Sequence, residues 1–319
     1  MVLSFALLAC PRARVVPPIR LRSHLGELLK GLHFTGPAVE LGTQKGEFTT
    51  VLLSGWGRCS LYVQVDSWAP LQNYKDAANK DAVTHLEYKQ QALSKLQRME
   101  RSHHTSRGVQ CHNLTSVCAR RFPNGFFDFI YVDARHDRLG VLEDLATWWP
   151  LLRPGGIIAG HDYTEQKEPF GTTRGTISAG DPEVTGQDWT INYDGTRDAT
   201  RRAVKGAVDD FFAGVAPDGH GAQVELRRCP LQVVVTYREM GWNTWLVAKP
   251  GVAQHASLNA SLWSLHDIQG RVPPGEEVRW CCCVLGCSGC PKAPSSATLG
   301  TQLLSGGSKN PRALPMCSH

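Results

Sequence analysis

The chain has 319 residues, 42% of them hydrophobic and 20% charged, the balance of a globular protein with a full core. No apolar run approaches the ~20 residues of a membrane-spanning helix. Its 34 Lys+Arg against 29 Asp+Glu give a net +5, but residues 1–26 hold four Arg and no acid, and residues 251–319 hold five bases and three acids. That leaves 25 bases and 26 acids between 27 and 250, a balance that excludes a nucleic-acid footprint in the core.

In chain order, Val2 to Cys10 is apolar without a basic start, and Arg12, Arg14, Arg20 and Arg22 follow it. A signal peptide, an organelle transit peptide and a plain flexible end all fit residues 1–18. Leu21, Leu25, Leu28, Leu29 and Leu32 recur at helical spacing and predict an amphipathic helix, stopped by Gly36-Pro37. Short β-rich runs then alternate with helical stretches, the pattern of a parallel α/β sheet covered on both faces. Strands are expected at Ala38 to Leu41, Leu61 to Val65, Val109 to His112, Phe127 to Val132 and Ile157 to Ala159. Between the second and third, Gln72 to Arg101 reads as a polar helical insertion. A helix ends near Trp149, and Arg153-Pro154-Gly155-Gly156 reads as a tight turn into the fifth strand. After a Gly- and Thr-rich loop from Gly171 to Gly186, Asp198 to Phe212 returns to helical spacing. Leu231 to Tyr237 and Trp245 to Ala248 then suggest an antiparallel pair. The expectation is a doubly wound, mostly parallel α/β sheet of seven strands with an antiparallel edge pair.

Beyond Pro250 the pattern dissolves into Gly, Pro, Ser and Cys, which predicts a disordered tail over 251–319 and a single folded domain over 19–250. Six of the eleven Cys lie in that tail: Cys281, Cys282, Cys283, Cys287, Cys290 and Cys317. No second Cys pair or His stands at zinc-ligand spacing beside them, and the tandem Cys lack the amphipathic or polybasic neighbour that a lipid anchor wants. Cys59, Cys111, Cys118 and Cys229 fall in predicted elements rather than at framework spacings. They read as reduced thiols, hence a reducing, cytoplasmic setting, with organelle targeting by the Arg-rich N-terminus as the open alternative.

Three places can carry chemistry. Val39-Glu40-Leu41-Gly42-Thr43-Gln44-Lys45-Gly46 is a strand, a Gly turn and the start of a helix, with Gly42 allowing close approach of a ligand and Gly46 close packing of the helix. The middle Gly of a dinucleotide loop is missing, which lowers the nicotinamide oxidoreductase reading. Asp66 ends the second strand, 24 residues after Gly42, where an acid can accept both ribose hydroxyls. Finally, Asp133 and His136 follow the fourth strand, and His161 and Asp162 the fifth. A strand order of 3-2-1-4-5 brings all four beside the Gly turn. Each residue alone is more often a turn cap or an exposed imidazole; together they suggest a crevice with a base.

These segments, Asp133 to Asp137 (D-A-R-H-D) and Trp148 to Tyr163 (W-W-P-L-L-R-P-G-G-I-I-A-G-H-D-Y), resemble those of class I S-adenosylmethionine-dependent methyltransferases. The likeness runs from about Ile19 to Pro250. It implies a Rossmann-like methyltransferase fold, cofactor contacts at Glu40, Gly42 and Gly46, the ribose at Asp66 and the adenine near Asn113. It further implies His136 as base with Asp133 as its catalytic partner, and a divalent metal on Asp133 and Asp162 with His161 as a third ligand. His161 stands where an acid is usual, so a mixed nitrogen and oxygen site leans from Mg²⁺ toward Mn²⁺ or Fe²⁺. The implied activity is O-methylation of a small hydroxylated acceptor. Read from their residue type alone, Trp68, Trp189 and Tyr193 can stack on a planar or sugar substrate, although buried structural aromatics are more common. A catalytically silent cofactor-binding module is the alternative, and no motif speaks to oligomeric state. Since the tail composition cannot offset the entropy of ordering, a protein ending at Pro250 should keep the full chain's melting temperature in a thermal-shift assay.

Overall fold

The computed structural model describes residues 16–17, 19–166, 187–215, 231–239 and 242–251. The Gly171 to Gly186 loop, Cys229, nearly all of residues 1–18 and the tail with its Cys cluster lie outside the described residues. Seven strands form one sheet: β1 (Ala38–Leu41), β2 (Tyr62–Asp66), β3 (Gly108–His112), β4 (Phe127–Val132), β5 (Leu152–Gly160), β6 (Val234–Val235) and β7 (Trp245–Ala248). Their order is β3-β2-β1-β4-β5-β7-β6, with the first five parallel. β7 runs antiparallel to both β5 and β6 and so carries the expected edge pair.

Six α-helices cover the sheet: α1 (Leu25–Gly31), α2 (Glu47–Trp56), α3 (Ala82–Arg101), α4 (Thr115–Ala119), α5 (Arg138–Trp148) and α6 (Ala203–Phe212). Strand alternation sorts the core into two layers. Val39, Leu41, Val63, Val65, Ile130, Val132 and Ile158 pack with Leu145, Trp148, Val208 and Phe211 from α5 and α6. Ala38, Tyr62, Phe129, Tyr131 and Ile157 pack with Leu25, Leu29, Leu52, Trp56 and Leu96 from α1 to α3, and Val16 and Ile19 join this layer. The central strands β1, β2 and β4 are buried on both faces, which is why they read as mostly apolar runs. Among the described residues, no helix is long and apolar enough to cross a membrane.

Three expectations need correction. The insertion is helical only from Ala82, because Asp81 caps that helix by accepting from the amides of Val83 (2.9 Å) and Thr84 (3.0 Å). The segment before it is free to form turns. Arg153 to Gly156 does not precede β5 but interrupts it: Phe127 pairs with Leu152 and Phe129 with Ile157, so the extra residues bulge out of the ladder, with Gly155 at φ +74°. Cys111 and Cys118, expected as reduced thiols, form a disulfide. The chain turns straight from β3 into α4 and brings their Cα atoms to 6.1 Å, within bridging range. Cys59 stays free and buried, its thiol pushed up to about 12 by desolvation, which makes it a poor nucleophile. Non-reducing peptide mapping should therefore recover Cys111 and Cys118 in one linked fragment and leave native Cys59 unalkylated. Cys118→Ser should cost about 2 kcal/mol in a denaturation experiment, as expected for so short a loop.

Candidate active site

The ladder registers line up the carboxyl ends of the strands. Leu41 pairs with Val65 on one side and Val132 on the other, and Val132 pairs with Gly160. Gly42, Asp66, Asp133 and His161 therefore emerge side by side at one edge, where the chain leaves β1 and β4 in opposite directions. Gly42 has φ +80°, and a Cβ there would lie 2.0 Å from the carbonyl oxygen of Asp133. No other residue fits this position.

A cavity of about 790 Å³ opens over this edge. On one side it is lined by Gly42, Gln44, Asp66, Leu114, Ser116 and Asp144, and on the other by Arg22, Tyr74, Asp76, Asp133, His136 and Asp162. Asp66 accepts from the amide of Gln44 (2.8 Å) and that of Trp68 (2.7 Å), tying the Gly turn to the loop after β2. Burial raises its pKa against those two bonds. Asp144 is pushed up to about 7 by burial, with the Thr115 hydroxyl donating to it.

The opposite side is built around one imidazole. His136 Nε2 lies 3.0 Å from Asp162 Oδ2 and 3.4 Å from Asp133 Oδ1, and its Nδ1 lies 3.0 Å from both Asp76 Oδ2 and the Tyr74 hydroxyl. Burial opposes a charge on the ring, but Tyr74 and the bonds to Asp133, Asp162 and Asp76 outweigh it and raise the pKa well above the ordinary histidine value. Asp162 sits at φ +53°, a left-handed conformation that, Gly apart, Asn, Asp and His adopt most readily. That turn aims its second oxygen at His161 Nδ1, 2.9 Å away. Buried as it is, Asp162 is held far below the usual carboxylate range by His161 and His136.

The expected residues thus divide. Gly42, Asp66, Asp133, His136, His161 and Asp162 all line the cavity. Glu40, Gly46 and Asn113 are outside its lining. Glu40 is buried beneath α2, where it accepts from the hydroxyls of Thr49 and Tyr62 (2.9 Å), and Gly46 caps α2. Asn113 accepts from the Leu114 amide (2.8 Å), and it is Leu114, Thr115 and Ser116 that reach the cavity. Of the aromatic residues, Trp189 and Tyr193 line it, while Trp68 is buried and donates to the Gln44 carbonyl (2.8 Å). Tyr74, Asp76, Arg22 and Trp242 were not foreseen. The cap at Asp81 is the signal that would have marked Tyr74 and Asp76 as loop residues.

As a metal centre, the donor atoms that come together are those of Asp133, His136 and Asp162, all within 4.8 Å of one another. Two carboxylates and one imidazole suit a borderline divalent cation such as Mn²⁺ or Fe²⁺. His161 stands outside this group, bonded to Asp162.

Residues 39–163 match the family described as "Methyltransferase domain". No curated protein matches the chain. Among solved structures, an O-methyltransferase from Bacillus cereus in complex with SAH is 16% identical, covering 76% of this chain and 84% of its own, with a TM-score of 0.43. A protein from Corynebacterium glutamicum is 15% identical over 73% and 81%, with a TM-score of 0.41. The O-methyltransferase TomG from Streptomyces achromogenes, in complex with SAM, is 14% identical over 72% and 80%, with a TM-score of 0.36. Within the matched residues 39–163 lie both the Gly turn and the His136 cluster, whereas Arg22, Trp189, Tyr193 and Trp242 come from outside them.

The buried Glu40 generates a pH prediction. Desolvation lifts its carboxyl from 4.5 to about 8, so the folded chain holds a proton there that the unfolded chain has released. Stability from this group is full below about pH 4.5 and is lost as pH rises through about 8. Asp144 and Asp66 act in the same direction. The melting temperature should fall between about pH 5 and pH 9, and Glu40→Gln, which keeps an acceptor for Thr49 and Tyr62, should remove much of that fall.

Proposed function

We propose that this chain transfers a methyl group from S-adenosylmethionine to an oxygen of a small hydroxylated molecule, with residues 19–250 as the catalytic unit. The observation that carries this reading is a single cavity with two chemically different sides. One side presents a glycine turn and an acid at the tip of β2; the other presents an imidazole set among carboxylates. Its size suits a nucleoside-bearing cofactor together with a small acceptor.

The residues fit the cofactor. Each Asp66 oxygen takes one backbone donor and keeps a lone pair for a ribose hydroxyl. Gly42 leaves the backbone open to close approach. When bound, S-adenosylmethionine supplies a methyl carbon made electrophilic by a sulfonium. The chain's own contribution is positioning and proton removal. His136 Nε2 faces the cavity between Asp133 and Asp162, whose carboxylates keep it protonated at rest; an acceptor that draws them toward itself frees Nε2 to take the acceptor's hydroxyl proton. Asp133 and Asp162 support the imidazolium that results, and Trp189, with its ring centroid 4.5 Å from that of His136, shields it from water. Asp133, Asp162 and His136 would hold a divalent cation, which would acidify a hydroxyl bound to it. A silent binding module has no use for a buried base at this end of the cavity.

Calorimetry separates the two sides. Asp66→Ala should weaken S-adenosylhomocysteine binding at least about tenfold, the loss of one or two charge-assisted bonds. His136→Ala should leave that affinity intact and lower turnover of a labelled-cofactor reaction about 100- to 10,000-fold. Binding of NAD in place of S-adenosylhomocysteine, or unchanged affinity in Asp66→Ala, would refute the assignment.

A further inference from the structure

The His136 ring is held from behind by a residue that the catalytic reading does not use. Asp76 lies in the turn segment before α3 with its side chain only 4% exposed, and its Oδ2 is 3.0 Å from His136 Nδ1. A buried carboxylate without partners would be costly, and this one has a donor on each oxygen. Its Oδ1 accepts from the Ala78 amide (2.7 Å) and its Oδ2 from Trp189 Nε1 (2.6 Å) as well as from the imidazole. The same tryptophan ring packs on the imidazole, so the groups that fix Asp76 also restrict rotation of His136.

The second neighbour of Nδ1 agrees with the first. The Tyr74 hydroxyl is 3.0 Å from Nδ1 and 3.1 Å from the carbonyl oxygen of Ala134. A carbonyl can only accept, so the tyrosine hydrogen points to Ala134 and the phenol turns a lone pair toward the ring. Nδ1 therefore faces two acceptors, and only an Nδ1–H satisfies both. We propose that Asp76 is the positioning residue of this site: with Tyr74 it holds a hydrogen on His136 Nδ1, whether or not Nε2 carries one as well, and so leaves Nε2, between Asp133 and Asp162, as the working nitrogen. The assignment of Nε2 as working nitrogen rests on the proposed methyl transfer; the placement of the hydrogen rests on hydrogen bonding alone. Supporting carboxylates of this kind orient an imidazole whether its free nitrogen takes a proton or a metal ion.

Asn in place of Asp76 cannot serve every donor. Its oxygen can face the imidazole and Trp189 or the Ala78 amide, and its NH₂ then confronts the other set. The test is NMR of the full-length protein labelled with ¹⁵N-histidine, with His136 assigned by the resonance that His136→Gln removes. The native protein should show a downfield proton bonded to Nδ1 and protected from exchange. In Asp76→Asn its exchange should accelerate about tenfold or more, the weight of one charge-assisted bond, while S-adenosylhomocysteine affinity holds. An Nδ1 without a proton in the native protein, or a resonance unchanged in Asp76→Asn, overturns the proposal. If that variant does not fold, Trp189→Phe decides: with its competing donor removed, Asp76 should bond Nδ1 more strongly and move the proton further downfield, and no shift overturns it. Native protein that shows the protected proton but binds no S-adenosylhomocysteine would sink the methyl-transfer reading and leave the placement of the hydrogen standing.

Discussion

Everything in the site depends on how closely the ends of β1 and β4 approach. At Gly42 the backbone passes so near the Asp133 carbonyl that a single added carbon would collide with it. The amide of Asp133 donates to Leu41 (2.9 Å), and the amide of Gly42 to Val65 (2.8 Å), so three strand ends are stitched before any side chain is considered. A larger residue at position 42 would push β4 away and carry Asp133 and His136 out of reach of the cofactor side. The glycine is therefore a constraint on distance as much as on backbone angle, and the Gly turn and the His136 cluster share a cavity because of it.

Given that edge, the next requirement is charge balance in a space mostly closed to water. Asp76, Asp133 and Asp162 converge on one side of the cavity, and three carboxylates there would repel one another strongly. His136 bonds all three, His161 shares Asp162, and the Arg22 guanidinium lies 3.7 Å from Asp133. Each cation lowers the cost of the acids, and the acids raise the pKa of the two imidazoles and of Arg22. Removing any one member leaves the rest uncompensated. Under the proposed methyl transfer, an acceptor or a cation that drew Asp133 and Asp162 toward itself would take away the bonds that keep a proton on Nε2 and so couple occupancy of the cavity to release of a base.

Much of this was legible in the sequence because it is local. Strands buried on both faces announce themselves as runs such as Phe127 to Val132, and their ends announce the polar groups that follow. Gly42, Asp66, Asp133, His136, His161 and Asp162 were all found as residues just past an apolar run. What was not legible depends on contacts made across the fold. Glu40 sits in the same run as Val39 and Leu41, and only the register shows that it shares a buried polar row with Gln64 and Gln110 instead of opening to the cavity. That row is closed by side chains, with Gln64 donating to Thr49 (2.8 Å) and Gln110 to Gln64 (3.0 Å). The Cys111–Cys118 disulfide depends on how tightly α4 follows β3, which spacing alone does not reveal. Asp76 was hidden inside a stretch whose composition reads as helix, because the cap at Asp81 is a single residue.

The two sides of the cavity also differ in origin, and this explains why the cofactor was easier to read than the acceptor. The side with the Gly turn and Asp66 is made mostly by short segments just past β1, β2 and β3, joined by Asp144 of α5, all within residues 39–163. On the acceptor side, the turn with Tyr74 and Asp76 is joined by Arg22 from the N-terminal helix region and by Trp189, Tyr193 and Trp242 from segments beyond β5. Arg22 is held there by a bond from its amide to Glu239 (2.5 Å), and Arg20 accepts from the amide of Arg238 (3.1 Å), so the two ends of the fold brace each other. Loops on strand ends repeat a backbone solution that leaves a recognisable pattern. Walls assembled from distant segments leave none, and the identity of the acceptor is written in how those walls meet.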